Sequence, residues 1–445
     1  MSWLFDLAYC ALLAAVSPLL LWRMVVRRKY RTGWNEKLFG RVPCRESHAP
    51  CIWFHAVSVG EVLQLEPVLA ELRQRLPGVE FVISTTTPTG RSVASAKFPD
   101  HKVCYFPLDF SWAVREAVTR LRPTVIVLVE LELWPNFIFH ARRCGIPLAL
   151  INGRVSQRSS RGYARIRPLM ARLLGCFDVL AAQNALYANR LAELGAPVDR
   201  LHVTGSIKFD RVTTDRANPR TEELRRSFKI APSERVFIAG STQSPEESAA
   251  LDAYIAARKA YPDLRLIVVP RQKERFDEVA RLIGSRGMPL CRRSHVSAGA
   301  LQPDSTSGLQ PHSQAPVLLL DTLGELAACW GLADVAFVGG SLGNRGGQNM
   351  IEPAGYGAAL LFGPNTQNFR EVVELLLTDD AARVVRDAAD LSRALAECLA
   401  DPDRARAAGA RAQKLVLAQQ GATDRTVNLL TDLASFSQGV GSRAA

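Results

Sequence analysis

The strongest constraint on this chain is a rhythm. Short apolar, β-rich runs (CIWFHAV, EFVISTT, KVCYFPLD, TVIVLVE, PLALING, VLAAQ, LHVTGS) alternate with amphipathic segments rich in Leu, Ala and Arg. Strands buried on both faces read as near-continuous Val, Ile and Leu, and parallel neighbours need a helical crossover between them. The alternation therefore predicts a parallel sheet with helices on both faces. A polar stretch, DRVTTDRANPRTEELRR (210–226), interrupts it, and it restarts with RVFIAGST, LRLIVVPR, VLLLDT, DVAFVGGSL and AALLFGP. The simplest reading is an α/β chain of two Rossmann-like, doubly wound halves joined near residues 210–230. Ligands of such sheets bind beyond the carboxyl ends of the strands, so two halves offer a central cleft.

Composition narrows the partners. With 445 residues there is room for about two domains, and 48% hydrophobic with 22% charged residues describes a globular chain. A net charge of +12 points to a polyanion, whether nucleic acid, anionic lipid or a phosphorylated substrate. The nine cysteines form no C-x-x-C pair and the seven histidines no H-x-x-x-H pair, so neither a disulfide framework nor a metal site is expected. Zinc-finger spacing, an aromatic-rich sheet motif and a basic recognition helix are all missing, which argues against nucleic acid.

The N-terminus stands apart. Leu7–Trp22 reads LAYCALLAAVSPLLLW and is followed by Arg23, Arg27, Arg28, Lys29 and Arg31. Those sixteen residues would rise about 24 Å as a helix, a little short of a hydrocarbon core of about 30 Å. Positive charge after the apolar run, not before it, predicts an uncleaved anchor whose following residues stay cytoplasmic. The anchor either spans the bilayer or lies deep in its interface.

Chemistry concentrates at the strand ends. FHAVSVGEV (54–62) sets Glu61 where a strand gives way to a helix. STTTPTG (84–90) offers hydroxyls and a glycine suited to an anion, and ELELWPN (130–136) carries Glu130 and Glu132, on one side if the strand continues. GSIKFD (205–210) places Lys208 at the end of the first half. In the second half, AGSTQSPEE (239–247) has N–H groups suited to a phosphate, and VVPRQKERF (268–276) sets Arg271 just past a strand. DTLGELAACW (321–330) brings Leu323, Gly324 and Glu325 to a turn. GGSLGNRGGQNMIEPAGYG (339–357) admits a ligand closely and then presents Asn349 and Glu352, an acid able to hold a ribose diol. Taken singly, each acid also reads as a helix-dipole partner, and Lys208 and Arg271 as surface charges. The D-x-D of Asp401–Pro402–Asp403 reads as a helix cap, and SHVSAGALQPDSTSGLQPHSQAP (294–316) as a surface insertion.

Taken together the motifs are specific. SVSVGE with TTTPTG, E-x-ELWPN, NGRVS-x-RS, GS-x-KFD, GST, PR-x-x-ERF, DT-x-GEL and GG-x-N-x-x-EP followed by FGP-x-T-x-NFRE resemble the lipid A-specific Kdo transferases, which attach 3-deoxy-D-manno-octulosonic acid to lipid A precursors. The resemblance implies a GT-B fold, an inverting mechanism, CMP-Kdo as donor, no metal or other cofactor, a lipid A precursor as acceptor, and residence on the cytoplasmic face of an inner membrane. The implied organisation is an anchor and basic collar over 1–30, an acceptor domain over 31–220 and a donor domain over 221–445. The last helix of such folds can cross back to the first domain.

Matched position by position, the resemblance implies Glu61 as general base, with Glu130 and Lys208 stabilising the transition state. It places CMP contacts at Pro270 and Arg271, at Leu323, Gly324 and Glu325, and at Asn349, Met350, Ile351 and Glu352. Where the family commonly has histidine, this chain has Gln243, Gln272, Gln348 and Asn365, and the N-P-L-E motif becomes Asn349-Met350-Ile351-Glu352. Amides keep the hydrogen bonds of neutral imidazoles but carry no proton charge near neutral pH, so donor binding is expected to respond less to pH. A helix N-terminus is expected to lower the Glu61 pKa, making it an ionised, mild base. Arg271 and Lys208 are the cations expected to stabilise the leaving phosphate. Another GT-B transferase with a different nucleotide-sugar donor, and a non-catalytic, membrane-tethered polyanion-binding protein, stay open as alternatives.

Overall fold

The computed structural model describes residues 2–26, 32–296 and 315–441. Most of the insertion expected at 294–316, and Arg27, Arg28, Lys29 and Arg31 of the basic collar, lie outside the described residues. The chain forms two compact units, one of Met1–Arg211 with Gln419–Ala445 and one of Val212–Ala418.

The first unit carries seven parallel strands: β1 (Cys51–His55), β2 (Glu80–Thr85), β3 (Lys102–Tyr105), β4 (Val125–Val129), β5 (Leu148–Gly153), β6 (Val179–Ala182) and β7 (Leu201–Val203). Their order is β3-β2-β1-β4-β5-β6-β7, so the sheet reverses direction between β1 and β4, the switch point where such sheets bind ligands. The register there pairs Phe54 with Val127 and His55 with Leu128, which brings the chain leaving β1 beside the chain leaving β4.

Both faces are covered, as the unbroken apolar runs require. Trp53 packs on one face with Phe106 and Phe137, while Ile52 and Phe54 pack on the other with Val62 and Leu65 of the helix Val59–Arg75. The last helix, Ala422–Gly441, joins that second face through Val427, Leu430 and Ala434, so chain from beyond the second unit completes the first unit's core. Asp210 of the GSIKFD segment accepts the N–H of Gly421 (2.7 Å) and that of Thr423, fixing the start of this helix.

The second unit repeats the plan with β8 (Arg235–Thr242), β9 (Leu264–Pro270), β10 (Leu290–Arg292), β11 (Val317–Leu319), β12 (Val335–Val338), β13 (Ala359–Phe362) and β14 (Ala382–Val384). The order is β10-β11-β9-β8-β12-β13-β14, with its switch point between β8 and β12. All its strand pairs are parallel. Asp401 caps the helix Pro402–Gln419 by accepting the N–H of Arg404 (3.0 Å), as the D-x-D reading expects.

The N-terminal helix runs over Ser2–Val26 and contains Pro18. Among the described residues, no helix is long and apolar enough to cross a membrane. One face, with Phe5, Asp6 and Tyr9, is half-buried against the first unit, while Trp3, Leu4, Leu7 and Leu12 on the other are exposed.

Candidate active site

In the first unit, three predicted residues gather beyond the β1/β4 switch point. Ser58 caps the helix Val59–Arg75, and its hydroxyl donates to Glu61 Oε1 (2.7 Å) while the Val57 N–H donates to Oε2 (2.9 Å). The S-x-x-E spacing is a capping box, which is why an acid at this position is held so firmly. Glu61 is only 9% exposed. Burial pushes its carboxyl above the usual range; the hydrogen bonds from Ser58 and Val57 oppose this, and the charge of Glu130 adds to it. This corrects the expectation of a lowered pKa. Desolvation outweighs the helix terminus, and the result is a stronger base.

β4 stops at Val129, and Glu130 adopts φ 62, a left-handed backbone that a residue with a β-carbon holds only when its surroundings impose it. The strand does not continue through both acids. Glu130 turns its carboxylate toward Lys208, whose Nζ lies 3.9 Å from Oε1. Glu132 accepts a hydrogen bond from Trp134 Nε1 (2.8 Å), and burial, with the charges of Glu61 and Glu130, raises its carboxyl to about 7. Three acids and one lysine thus share a small region, and the family resemblance implies no role for Glu132.

The support beneath them is tight. Thr85 and Thr86 both donate their hydroxyls to the Val57 carbonyl (2.9 and 3.3 Å), and Thr87 caps the helix Pro88–Lys97. The Thr85 and Thr86 hydroxyls therefore steady the loop that carries Glu61; the expectation that they are offered to an anion is corrected for these two. Asn152 of the NGRVS motif is fully buried at φ 54. Its amide donates to Gln64 Oε1 (2.5 Å), close along the helix from Glu61, and its Oδ1 accepts from the Ile207 N–H (3.4 Å), next to Lys208. The signal for this residue was available in the sequence: an Asn-Gly pair at the end of a buried strand marks a positive φ.

In the second unit, four adjacent strand ends, those of β11, β9, β8 and β12, carry the predicted donor positions. Pro270 closes β9, and the N–H of Arg271 donates to the Thr242 carbonyl (3.0 Å), which sets the exposed Arg271 beside the end of β8. Beyond β11, Leu323 is 75% exposed and Gly324 has φ +86, a turn that a β-carbon would strain. Glu325 is held by Arg293 (2.9 and 3.2 Å) and by the Thr322 hydroxyl. Asn349 accepts the N–H of Ile351 (3.1 Å) and donates to Glu352 Oε1 (3.0 Å), while the side chains of Met350 and Ile351 are buried.

Glu246 changes the reading of the glycine-rich turns. Fully buried, its carboxylate accepts from the N–H groups of Gln243 (2.9 Å), Gly340 (2.7 Å), Ser341 (2.9 Å) and Leu342 (2.9 Å). The Gln243 N–H, on the turn expected to offer its donors to a phosphate, is already satisfied from within the chain, as are three N–H groups of the glycine-rich loop after β12, and the carboxylate locks the β8 and β12 loops together. Among the described residues, no group of three or more His, Cys, Asp or Glu side chains could hold a metal ion.

Two stretches of the chain match known families. Residues 32–211 match a family profile described as 3-Deoxy-D-manno-octulosonic-acid transferase (kdotransferase), and residues 341–431 match one described as Glycosyl transferase-like. The 3-deoxy-D-manno-octulosonic acid transferase of Haemophilus influenzae is 32% identical over 430 residues, spanning 95% of this chain and 97% of that one. Its counterpart from Bordetella pertussis is 33% identical over 441 residues, with 95% and 98% covered. Among solved structures, UDP-GlcNAc 2-epimerase from Neisseria meningitidis bound to UDP-GlcNAc superposes with a TM-score of 0.55 at 12% identity, covering 86% of this chain and 99% of that one. At that identity the likeness is one of fold, and it agrees with two Rossmann-like units of GT-B type.

Proposed function

This chain belongs to the 3-deoxy-D-manno-octulosonic-acid transferase family, and from that premise we propose that it moves Kdo from CMP-Kdo to the lipid A precursor lipid IVA, with inversion at the anomeric carbon. The chain is a Kdo glycosyltransferase of lipopolysaccharide biosynthesis; donor, acceptor and stereochemistry are the proposal. One observation carries the chemical part: a buried, hydrogen-bonded Glu61 with a raised pKa, at the same switch point as a Glu130–Lys208 pair.

In this reading an acceptor hydroxyl oxygen attacks the anomeric carbon of Kdo from the face opposite CMP. The carbon–oxygen bond to the phosphate breaks, CMP leaves with the electron pair, and the hydroxyl proton passes to Glu61. A base whose pKa burial has raised takes that proton more readily than an ordinary carboxylate does. Lys208 supplies positive charge where negative charge develops, and Glu130 orients its ammonium group. The second unit recognises the nucleotide through Arg271, the Leu323–Glu325 turn and the Asn349–Glu352 segment. Gln243, Gln272, Gln348 and Asn365 supply neutral hydrogen bonds where the family commonly has histidines.

The N-terminal helix is proposed to lie in the interface at the cytoplasmic face of an inner membrane. What supports this is its outward row of Trp3, Leu4, Leu7 and Leu12, set against an inward face that is docked on protein.

The test uses the purified full chain with CMP-Kdo and lipid IVA, reading product by mass and anomeric configuration by NMR. Kdo transfer with inversion is expected, with Glu61→Ala inactive yet folded and still binding CMP. Transfer from a UDP-sugar in preference to CMP-Kdo, or wild-type turnover by Glu61→Ala, would overturn the reading.

A further inference from the structure

The N-terminal helix meets the first unit along a polar seam. Asp6 accepts from the N–H (2.8 Å) and hydroxyl (2.6 Å) of Ser111 and from Asn136 Nδ2 (3.0 Å). Close by along the helix, Tyr9 donates its hydroxyl to Asp109 Oδ2 (2.9 Å). Asp109 also accepts the N–H groups of Asn136 (2.9 Å) and Phe137 (2.8 Å), and its carbonyl takes Asn136 Nδ2 (2.7 Å). Two ring contacts flank the seam, Phe5 with Phe139 at 6.5 Å and Tyr9 edge-on to Phe110 at 6.0 Å.

These bonds do a definite job. The helices Ser111–Leu121 and Pro135–Arg143 begin after Phe110 and Trp134, and neither residue makes a side-chain cap. The first N–H groups of a helix have no partner of their own, and a buried helix start needs one supplied. Asp6 caps the first of these helices from the N-terminal segment, and Asp109, in the loop before the first helix, caps the second. Asp109 and Asn136 are 3% and 2% exposed, so their groups have no water to fall back on.

The second capped helix is the one that ends the acid-bearing loop. Glu130 and Glu132 lie just before it, and Glu132 is tied to Trp134, the residue at its start. We propose that Asp109, held in turn by Tyr9 and supported by Asp6, is a positioning residue for Glu130 and Glu132, so that seating of the N-terminal helix sets the geometry of the acid pair. Asp109 touches no reacting atom; it acts by fixing the first turn that anchors the loop. The inference rests on the reading of Glu130 given above.

The experiment uses full-length Tyr9→Phe and Asp6→Asn, singly and combined. Tyr9→Phe keeps the ring against Phe110 and removes only the hydroxyl. Backbone amide exchange over residues 130–138 and steady-state kinetics are measured well below each variant's melting temperature. Leu433→Ala, which loosens the same unit from its last helix, serves as the stability-matched control. In the combined variant the amides of Asn136 and Phe137 are expected to exchange faster. Its kcat should fall on the order of ten- to a hundredfold with the KM for CMP-Kdo unchanged, the signature of displaced catalytic groups. Unchanged exchange at those amides would overturn the seam itself. Faster exchange with unaltered kcat, or an equal kcat loss in Leu433→Ala, would overturn its positioning role. Full activity in Glu130→Gln would instead remove the reading of Glu130, with the exchange result still standing by itself.

Discussion

Lys208 Nζ lies 3.9 Å from Glu130 Oε1, joining a residue beyond the last strand of the first sheet to one beyond its fourth. The two side chains are 36% and 26% exposed, and a pair so open contributes about 0–1 kcal/mol to stability. Lys208→Ala is therefore expected to leave the melting temperature nearly unchanged while kcat falls on the order of a hundredfold or more. Because the two act as a unit, Glu130→Gln added to Lys208→Ala should cost little further activity. Additive losses in that cycle would show that the pair works as two separate groups.

Burial holds the Glu61 carboxyl above the ordinary glutamate value, with the Glu130 charge adding to the effect. A base must be deprotonated to act, so kcat/KM is expected to fall as pH drops through this raised value, on an acid limb above an ordinary carboxylate's. Glu130→Gln removes the neighbouring negative charge, which eases ionisation of Glu61 and moves the limb of the residual activity to lower pH. A pH–rate profile of the two proteins checks both directions, and a limb that moves upward would contradict the shared site.

Asn152 holds a positive φ and bridges Gln64 to Ile207. Asn152→Gly suits the backbone but deletes both bonds, for an expected loss of about 1–2 kcal/mol. Asn152→Ala loses the same bonds but keeps a β-carbon at that φ, which glycine lacks, and should cost about 1 kcal/mol more than Asn152→Gly. The two variants should nevertheless lose similar amounts of kcat, since both free the Glu61 helix from the Lys208 segment. Denaturant melts and kinetics on the pair separate backbone strain from the bridge.

Glu246 satisfies four backbone N–H groups in the second unit. Glu246→Ala leaves them unpaired in a buried setting and is expected to destabilise by about 3–5 kcal/mol. CMP binding, followed by calorimetry at a temperature where the variant stays folded, should weaken because the β8 and β12 loops lose their common anchor. Unchanged CMP affinity would detach those loops from donor binding.

Much of this was legible in the chain. Buried parallel strands must be apolar throughout, so CIWFHAV, TVIVLVE and RVFIAGST announced themselves, and Glu61, Glu130 and Lys208 stood out as charges at the ends of such runs. Less legible was what those ends do with their polar groups. The hydroxyls of Thr85 and Thr86, the carboxylate of Glu246 and the amide of Asn152 all looked available for ligand, or went unassigned. Each is bonded to a segment distant in sequence.

By itself, then, the sequence determined the two-sheet architecture, the strand-end positions and the residue types at the site, because periodicity and composition are local properties of the chain. Only the tertiary structure decided that Glu61 is desolvated enough for its pKa to rise instead of fall, and that Glu132 joins the acid cluster. It also decided that Asp6 of the N-terminal helix caps one element beside these residues, and that Tyr9 holds Asp109, which caps the other. Burial and hydrogen-bond partnership depend on which segments meet across tens to hundreds of residues, and no local pattern carries that information.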